Sequence, residues 1–227
     1  MGGPKVGSKK NILKKPARSK EDKDRVRQKI IEEGRKLFVK KGSYDFSTYA
    51  LAEKLGMVQG NLYNYYKSKR ELYIAIRIED FRKLKNEMEN IIDEHEGSYL
   101  KLIRKMIIFY LNFAKEEYKR FQMMFFIPPP PANKTGPIEK EYEVIDPLAV
   151  VKKVLQEAMD AGEIKDMELK NLSFYFYALV QGATSVERDL RTRDKVLEPI
   201  DQESRPETIQ SFREFLIQQL LNQIKAK

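Results

Sequence analysis

The sequence predicts an all-α protein of about nine helices, and three observations carry that expectation. Apolar residues recur at spacings of three and four along nearly the whole chain, from Val26 to Ile224. No convincing period-two alternation and no Asn-Gly hairpin signal interrupts them. Helix starts and stops fall at the ends of the periodic runs, with Gly42, Gly56 and Gly162 as stops and Ser68 and Asp146 as starts.

The elements follow in order. Residues 1–23 are rich in Gly, Pro, Ser and Lys and predict a disordered basic arm, a phosphate-tracking or minor-groove segment or else a solubilising tail. From Arg25 the residues Val26, Ile30, Gly34, Leu37 and Phe38 line one face of a first helix that ends at Gly42. Ser47 or Thr48 caps a second, "TYALAEKL", which stops at Gly56. The polar, aromatic segment "GMVQGNLYNYYKSKREL" holds a third. Ser68 and Glu71 form a Ser-x-x-Glu capping box that opens a long fourth helix through Leu72, Ile76, Phe81, Leu84, Met88 and Ile91.

Further helices are predicted around Leu102–Phe113, in "YKRFQMMFF", from Pro147 to Gly162, from Leu169 to Leu190, and from Ile209 to Ile224. The run "IPPPPANKTGPIEKEYEVIDP" reads as a long loop, either a stiff connector or a polyproline-type recognition segment. The resulting division is a basic arm at 1–23, a short-helix N-terminal domain at 24–78, and a helical body at 79–227.

The net charge of +9 is unevenly spread. Residues 1–23 hold eight Lys/Arg against two Asp/Glu, residues 24–78 twelve against six, and residues 79–227 twenty-three against twenty-six. The whole excess lies in the first third, which marks a polyanion-binding end and a separate body. Zero cysteines exclude disulfides and thiolate metal sites and fit a reducing cytoplasm. No apolar run approaches the roughly 20 residues of a membrane-spanning helix, so no membrane partner is expected.

Spacing explains the third helix. A helix-turn-helix needs a small residue where its helices meet and a residue tolerant of a left-handed turn four positions on; Ala52 and Gly56 supply them. Leu62 packs the second helix back on the first and leaves Gln59, Gly60, Asn61, Tyr63 and Asn64 outward. Amides there can pair with adenine N6 and N7 in a major groove, and tyrosine hydroxyls can reach phosphates. Lys67, Lys69 and Arg70 follow where the DNA backbone would pass.

Residues 25–77 resemble the DNA-binding domain of the tetracycline-repressor (TetR) family, through "KLFVKKG", "LAEKLG" and "GNLYNYYKSKREL" in register. The resemblance implies a three-helix reading head on a helical ligand-binding body, acting as a homodimeric transcriptional regulator. It implies that Gln59, Gly60 and Asn61 face bases and that Tyr63, Tyr65 and Lys69 hold the phosphate backbone, with Thr48 and Tyr49 assisting. Two positions depart from the pattern: Val58 stands where a Ser or Thr cap is frequent, and Tyr66 where Phe is common.

Two heads reading half-sites roughly one DNA turn apart, about 34 Å, require a dimer. Its expected surface lies on the last two long helices, at Tyr175, Leu179, Gly182, Ala183, Val186, Phe212, Phe215, Leu216 and Leu220. The resemblance also implies an effector pocket, for which Phe109, Tyr110, Phe113, Met123, Phe126, Phe174 and Tyr177 are candidates for a small hydrophobic or aromatic molecule. The expected function is a ligand-responsive repressor on a double-stranded palindromic operator. The alternatives are a non-specific DNA-packaging protein and a helical enzyme using scattered carboxylates. No catalytic residue, metal ligand or cofactor is expected: the lone His95 sits in the acidic turn "DEHEG", and no phosphate loop or nucleophile motif occurs.

Overall fold

The computed structural model describes residues 19–131, 135–191 and 206–226. Among them are ten helices: α1 (Lys20–Lys41), α2 (Thr48–Lys54), α3 (Gln59–Tyr63), α4 (Lys69–Asp93), α5 (Tyr99–Glu116), α6 (Tyr118–Phe125), α7 (Pro137–Lys140), α8 (Pro147–Asp160), α9 (Leu169–Arg191) and α10 (Ile209–Ile224). The all-α expectation holds, and the added element is the one-turn α7 inside the proline-rich segment. No helix among the described residues is long and apolar enough to cross a membrane.

The chain divides into two compact units that are not contiguous in sequence. Of the described residues, one takes those up to Asp80 together with those within Lys119–Val144; the other takes Phe81–Tyr118 and those from Ile145 onward. The sequence division at residue 78 thus falls close to one boundary, but 119–144 joins the N-terminal unit rather than the body.

Local chemistry sets the helix ends. Ser19 caps α1, its hydroxyl accepting from Asp22 N at 3.0 Å, so the helix begins at Lys20. This corrects the disordered arm at its C-terminal end, where residues 20–23 are helical; the rest of the arm, up to residue 18, lies outside the described residues. Gly42 ends α1 at φ 71°, its N–H donating to Phe38 O at 2.7 Å. Asp146 caps α8 through Leu148 N, with Pro147 in the first turn.

In the N-terminal unit Phe38 stacks on Phe46 with centroids 3.8 Å apart, and Tyr73 meets Phe38 edge-on at 5.6 Å. Ile30, Leu51, Leu62, Leu72, Ile76 and Met123 complete this buried core. Gly34 lets α1 and α4 approach closely: a Cβ there would lie 3.2 Å from Ile76 Cδ1. A buried ion cluster joins α1, α4 and α6. Arg35 Nε donates to both oxygens of Asp80 at 3.0 and 3.1 Å, and its Nη2 reaches Glu79 Oε1 at 2.8 Å. Arg120 Nη1 adds bonds to Asp80 Oδ1 at 2.7 Å and Glu79 Oε1 at 3.0 Å.

The second unit packs α5, α8, α9 and α10 around Leu111, Val154, Phe176 and Ile217, all buried. Its own buried ion pair joins α9 to α10: Arg213 Nε donates to Glu187 Oε1 at 2.6 Å and Nη2 to Oε2 at 2.7 Å. Arg213 Nη1 also reaches Asn112 Oδ1 of α5 at 2.7 Å.

Candidate nucleic-acid interface

The sequence left two caps open for α2, and the structure chooses Ser47, whose hydroxyl accepts from Ala50 N at 3.3 Å. Thr48 is thereby freed for another use. Leu51 and Ala52 are buried where α2 meets its neighbours, and Gly56 turns at φ 68° while Met57 N donates back to Ala52 O at 3.0 Å. Val58 precedes α3 and makes no side-chain cap. A five-residue helix without a cap does not hold itself. Leu62, 2 % exposed, supplies the holding contact by burying into the unit's core.

The opposite side of α3 faces outward. Gly60, Asn61, Tyr63 and Asn64 are exposed, and nothing lies within 4 Å of where a Cβ would stand on Gly60. Gln59 is half-buried because its amide nitrogen donates to Thr48 Oγ1 at 2.7 Å. The Tyr63 hydroxyl lies 3.3 Å from the same oxygen. One hydroxyl therefore gathers Gln59 and Tyr63, and Asn61 is the exposed amide residue on α3. Tyr49 is exposed on α2, and Tyr65 packs partly against the core.

The basic cluster behind α3 divides by role. Lys67 Nζ lies 3.2 Å from Tyr63 O. Lys69 Nζ donates to the carbonyls of Tyr44 and Phe46 at 3.2 and 3.3 Å, tying the α1–α2 turn to the start of α4. Arg70, read from sequence as lying along the DNA backbone, turns instead to the chain itself: Nε donates to Glu139 Oε1 at 2.6 Å and Nη1 to Pro130 O at 2.9 Å. Tyr44, 84 % exposed beside Lys69, was not among the sequence candidates; its one sequence signal was an aromatic residue in a polar turn.

Tyr66, the departure from Phe, is buried. Burial pushes its phenol up to about 12, with Arg27 pulling the other way. A folded value above the unfolded one of 10.0 means the neutral phenol's contribution is intact below pH 10 and is lost as pH rises through 12. The urea midpoint of the wild type is therefore expected to fall more steeply between those pH values than that of Tyr66→Phe. Parallel curves would contradict it.

The other candidate sets do not stay whole. Met123 is fully buried in the core of the N-terminal unit, on the inward face of α6, and Phe126 is half exposed in that same unit. Phe109, Tyr110, Phe113, Phe174 and Tyr177 belong to the second unit. Phe113 is buried 6.0 Å from Phe109 on α5, burial drives the Tyr110 phenol upward, and Phe174 and Tyr177 are exposed on α9. Two of the seven thus belong to the N-terminal unit and five to the second, and the period of α6 turns Met123 into its own unit's core. Of the dimer candidates, Ala183 and Leu220 are buried in their own chain's core, since their helix faces point inward. Leu179, Val186, Phe212 and Leu216 are half-buried, Gly182 is open, and Tyr175 and Phe215 are exposed.

The model of the family described as "Bacterial regulatory proteins, tetR family" matches residues 30–76. No curated protein matches the chain in sequence. Among solved structures, the transcriptional regulator FadR from Bacillus subtilis in complex with stearoyl-CoA superposes with a TM-score of 0.65 at 14% identity, covering 86% of this chain and 97% of that one. A TetR family transcription regulator from Marinobacter aquaeolei VT8 gives 0.64 at 15% identity over 92% and 100%. The fatty acid degradation regulator FadR from Bacillus halodurans gives 0.61 at 10% identity over 86% and 94%. At these identities the likeness is one of fold. Residues 30–76 are thus similar to the bacterial regulatory proteins of the tetR family, in a chain with the fold of solved TetR family regulators.

Proposed function

We propose that this protein is a sequence-specific transcriptional regulator that reads a palindromic operator as a homodimer and releases it when an apolar effector binds the second unit. The observation that carries the reading is the α3 face, held by buried Leu62 and presenting Gly60, Asn61, Tyr63 and Asn64 to solvent. In this reading Asn61 pairs with a base edge, and Tyr49, Tyr63, Lys67 and Lys69 lie along the phosphates. Thr48 orients Gln59 and Tyr63 through the bonds described above, and Tyr65 braces the helix from behind.

Dimerisation is supported by apolar side chains left uncovered on the two C-terminal helices. These are Phe174 and Tyr175 on α9, which also carries the open Gly182, and Phe215 on α10, the last 66 % exposed. The Bacillus halodurans FadR is a fatty acid degradation regulator by name, and the Bacillus subtilis FadR was solved in complex with stearoyl-CoA. An acyl chain is therefore the effector class to try first, and the expected effect of binding is release of DNA and hence derepression.

Selection from random duplexes, followed by titration of the winner, tests the function. Asn61→Ala is expected to relax preference at one base position per half-site by about 1–3 kcal/mol. Lys69→Ala should weaken all duplexes alike and reduce the salt slope by about one. If Lys69→Ala changed base preference and Asn61→Ala did not, the two roles would be reversed.

A further inference from the structure

Glu71 is a carboxylate in an unusual place for a residue whose sequence role is only to cap a helix: it is 1 % exposed. The capping box is half formed as expected, with Ser68 Oγ accepting from Glu71 N at 3.0 Å. The carboxylate does not return to Ser68. Its Oε2 accepts from Lys67 N, the backbone N–H in the turn between α3 and α4. Its Oε1 accepts from Ile138 N at 2.9 Å, 67 residues farther along the chain. One side chain thus ties the turn behind α3 to the segment that follows the prolines.

The surroundings fit that use. Gly136 stands against the carboxylate: a Cβ there would lie 2.6 Å from Glu71 Cδ. Gly136 has φ −86°, which any residue adopts, so the glycine is required for room and not for backbone freedom. The rest of the segment is seated by the same stretch of α4. Arg70 holds Glu139 and Pro130 O, Tyr73 Oη donates to Ile127 O at 2.6 Å, and Arg77 Nη2 donates to Met124 O at 2.9 Å. Ser43 Oγ adds a bond to Pro128 O.

We propose that Glu71 is a positioning residue for DNA reading: it makes the setting of α3 depend on where the segment around Gly136 and Ile138 lies. The inference rests on α3 being the reading helix. A carboxylate suits the task because it offers an acceptor oxygen to each N–H, whereas an amide offers one acceptor and a donor. The segment continues in sequence through Val144 to Ile145, where the second unit resumes.

The test uses the full chain and the duplex selected by the wild type. Glu71→Gln and Gly136→Ala act on the tie from opposite sides, and both are measured where urea curves show them fully folded. Each is expected to weaken binding about tenfold with base preference and salt slope unchanged, because no base or phosphate contact is removed. Each should also speed hydrogen exchange at the Lys67 amide. Wild-type affinity in both folded variants would reduce Glu71 to a structural cap and overturn the proposal. So would an affinity loss in Glu71→Gln that Gly136→Ala does not share, since the segment would then have no part in it. A wild-type chain that selects no duplex would remove the reading helix itself, and the proposal with it.

Discussion

Asp80→Ala is expected to lower the stability of the N-terminal unit by about 3–5 kcal/mol, the cost of leaving buried partner charges uncompensated. Asp80 is fully buried and accepts from both Arg35 and Arg120. Burial pushes its carboxyl above the ordinary carboxylate range, while Arg35 and Arg120 pull it down. The ionised form is therefore costly to bury without its partners. Without Asp80, Arg35 keeps a buried guanidinium facing Glu79 alone, at 2.8 Å. Urea denaturation with an unchanged m-value measures the effect, and a loss below about 1 kcal/mol would mean that Glu79 or water takes Asp80's place.

Leu62→Ala is the second large effect, expected at about 2–5 kcal/mol from lost burial and the cavity left behind. Its consequence for function should exceed its consequence for stability. α3 has five residues, no side-chain cap at Val58, and Leu62 as its buried residue. A helix so short depends on packing to exist in water. The variant should keep most of its helix by circular dichroism and lose binding to the selected duplex. Retained binding at wild-type affinity would show that Tyr65 and the α2–α3 turn suffice to hold the face.

The helix-turn-helix was legible because its determinants are local. Ala52, Gly56 and Leu62 act within eleven positions of one another, and spacing is all they need. The cap of α2 was legible only as a choice, since Ser47 and Thr48 are both good caps; Gln59 decides it by taking Thr48's hydroxyl. What the sequence hid is long-range. Arg70 looks like its basic neighbours, and its turn toward Glu139 depends on a segment 69 positions away. Met123 carries a helical apolar signal that says it is buried and not in which unit. Ala183 and Leu220 share stripes with exposed neighbours, and a period of 3.6 does not separate a helix's own core face from a face left for a second copy. Ser19 was missed because the apolar pattern begins only at Val26, a full turn and more after the cap.

Enrichment of duplexes from a random pool tests base-specific reading by the outward face of α3 more directly than any variant. A two-fold symmetric consensus is expected, with half-sites about one helical turn apart. A pool that stays unenriched, bound with an affinity set by salt alone, would contradict it.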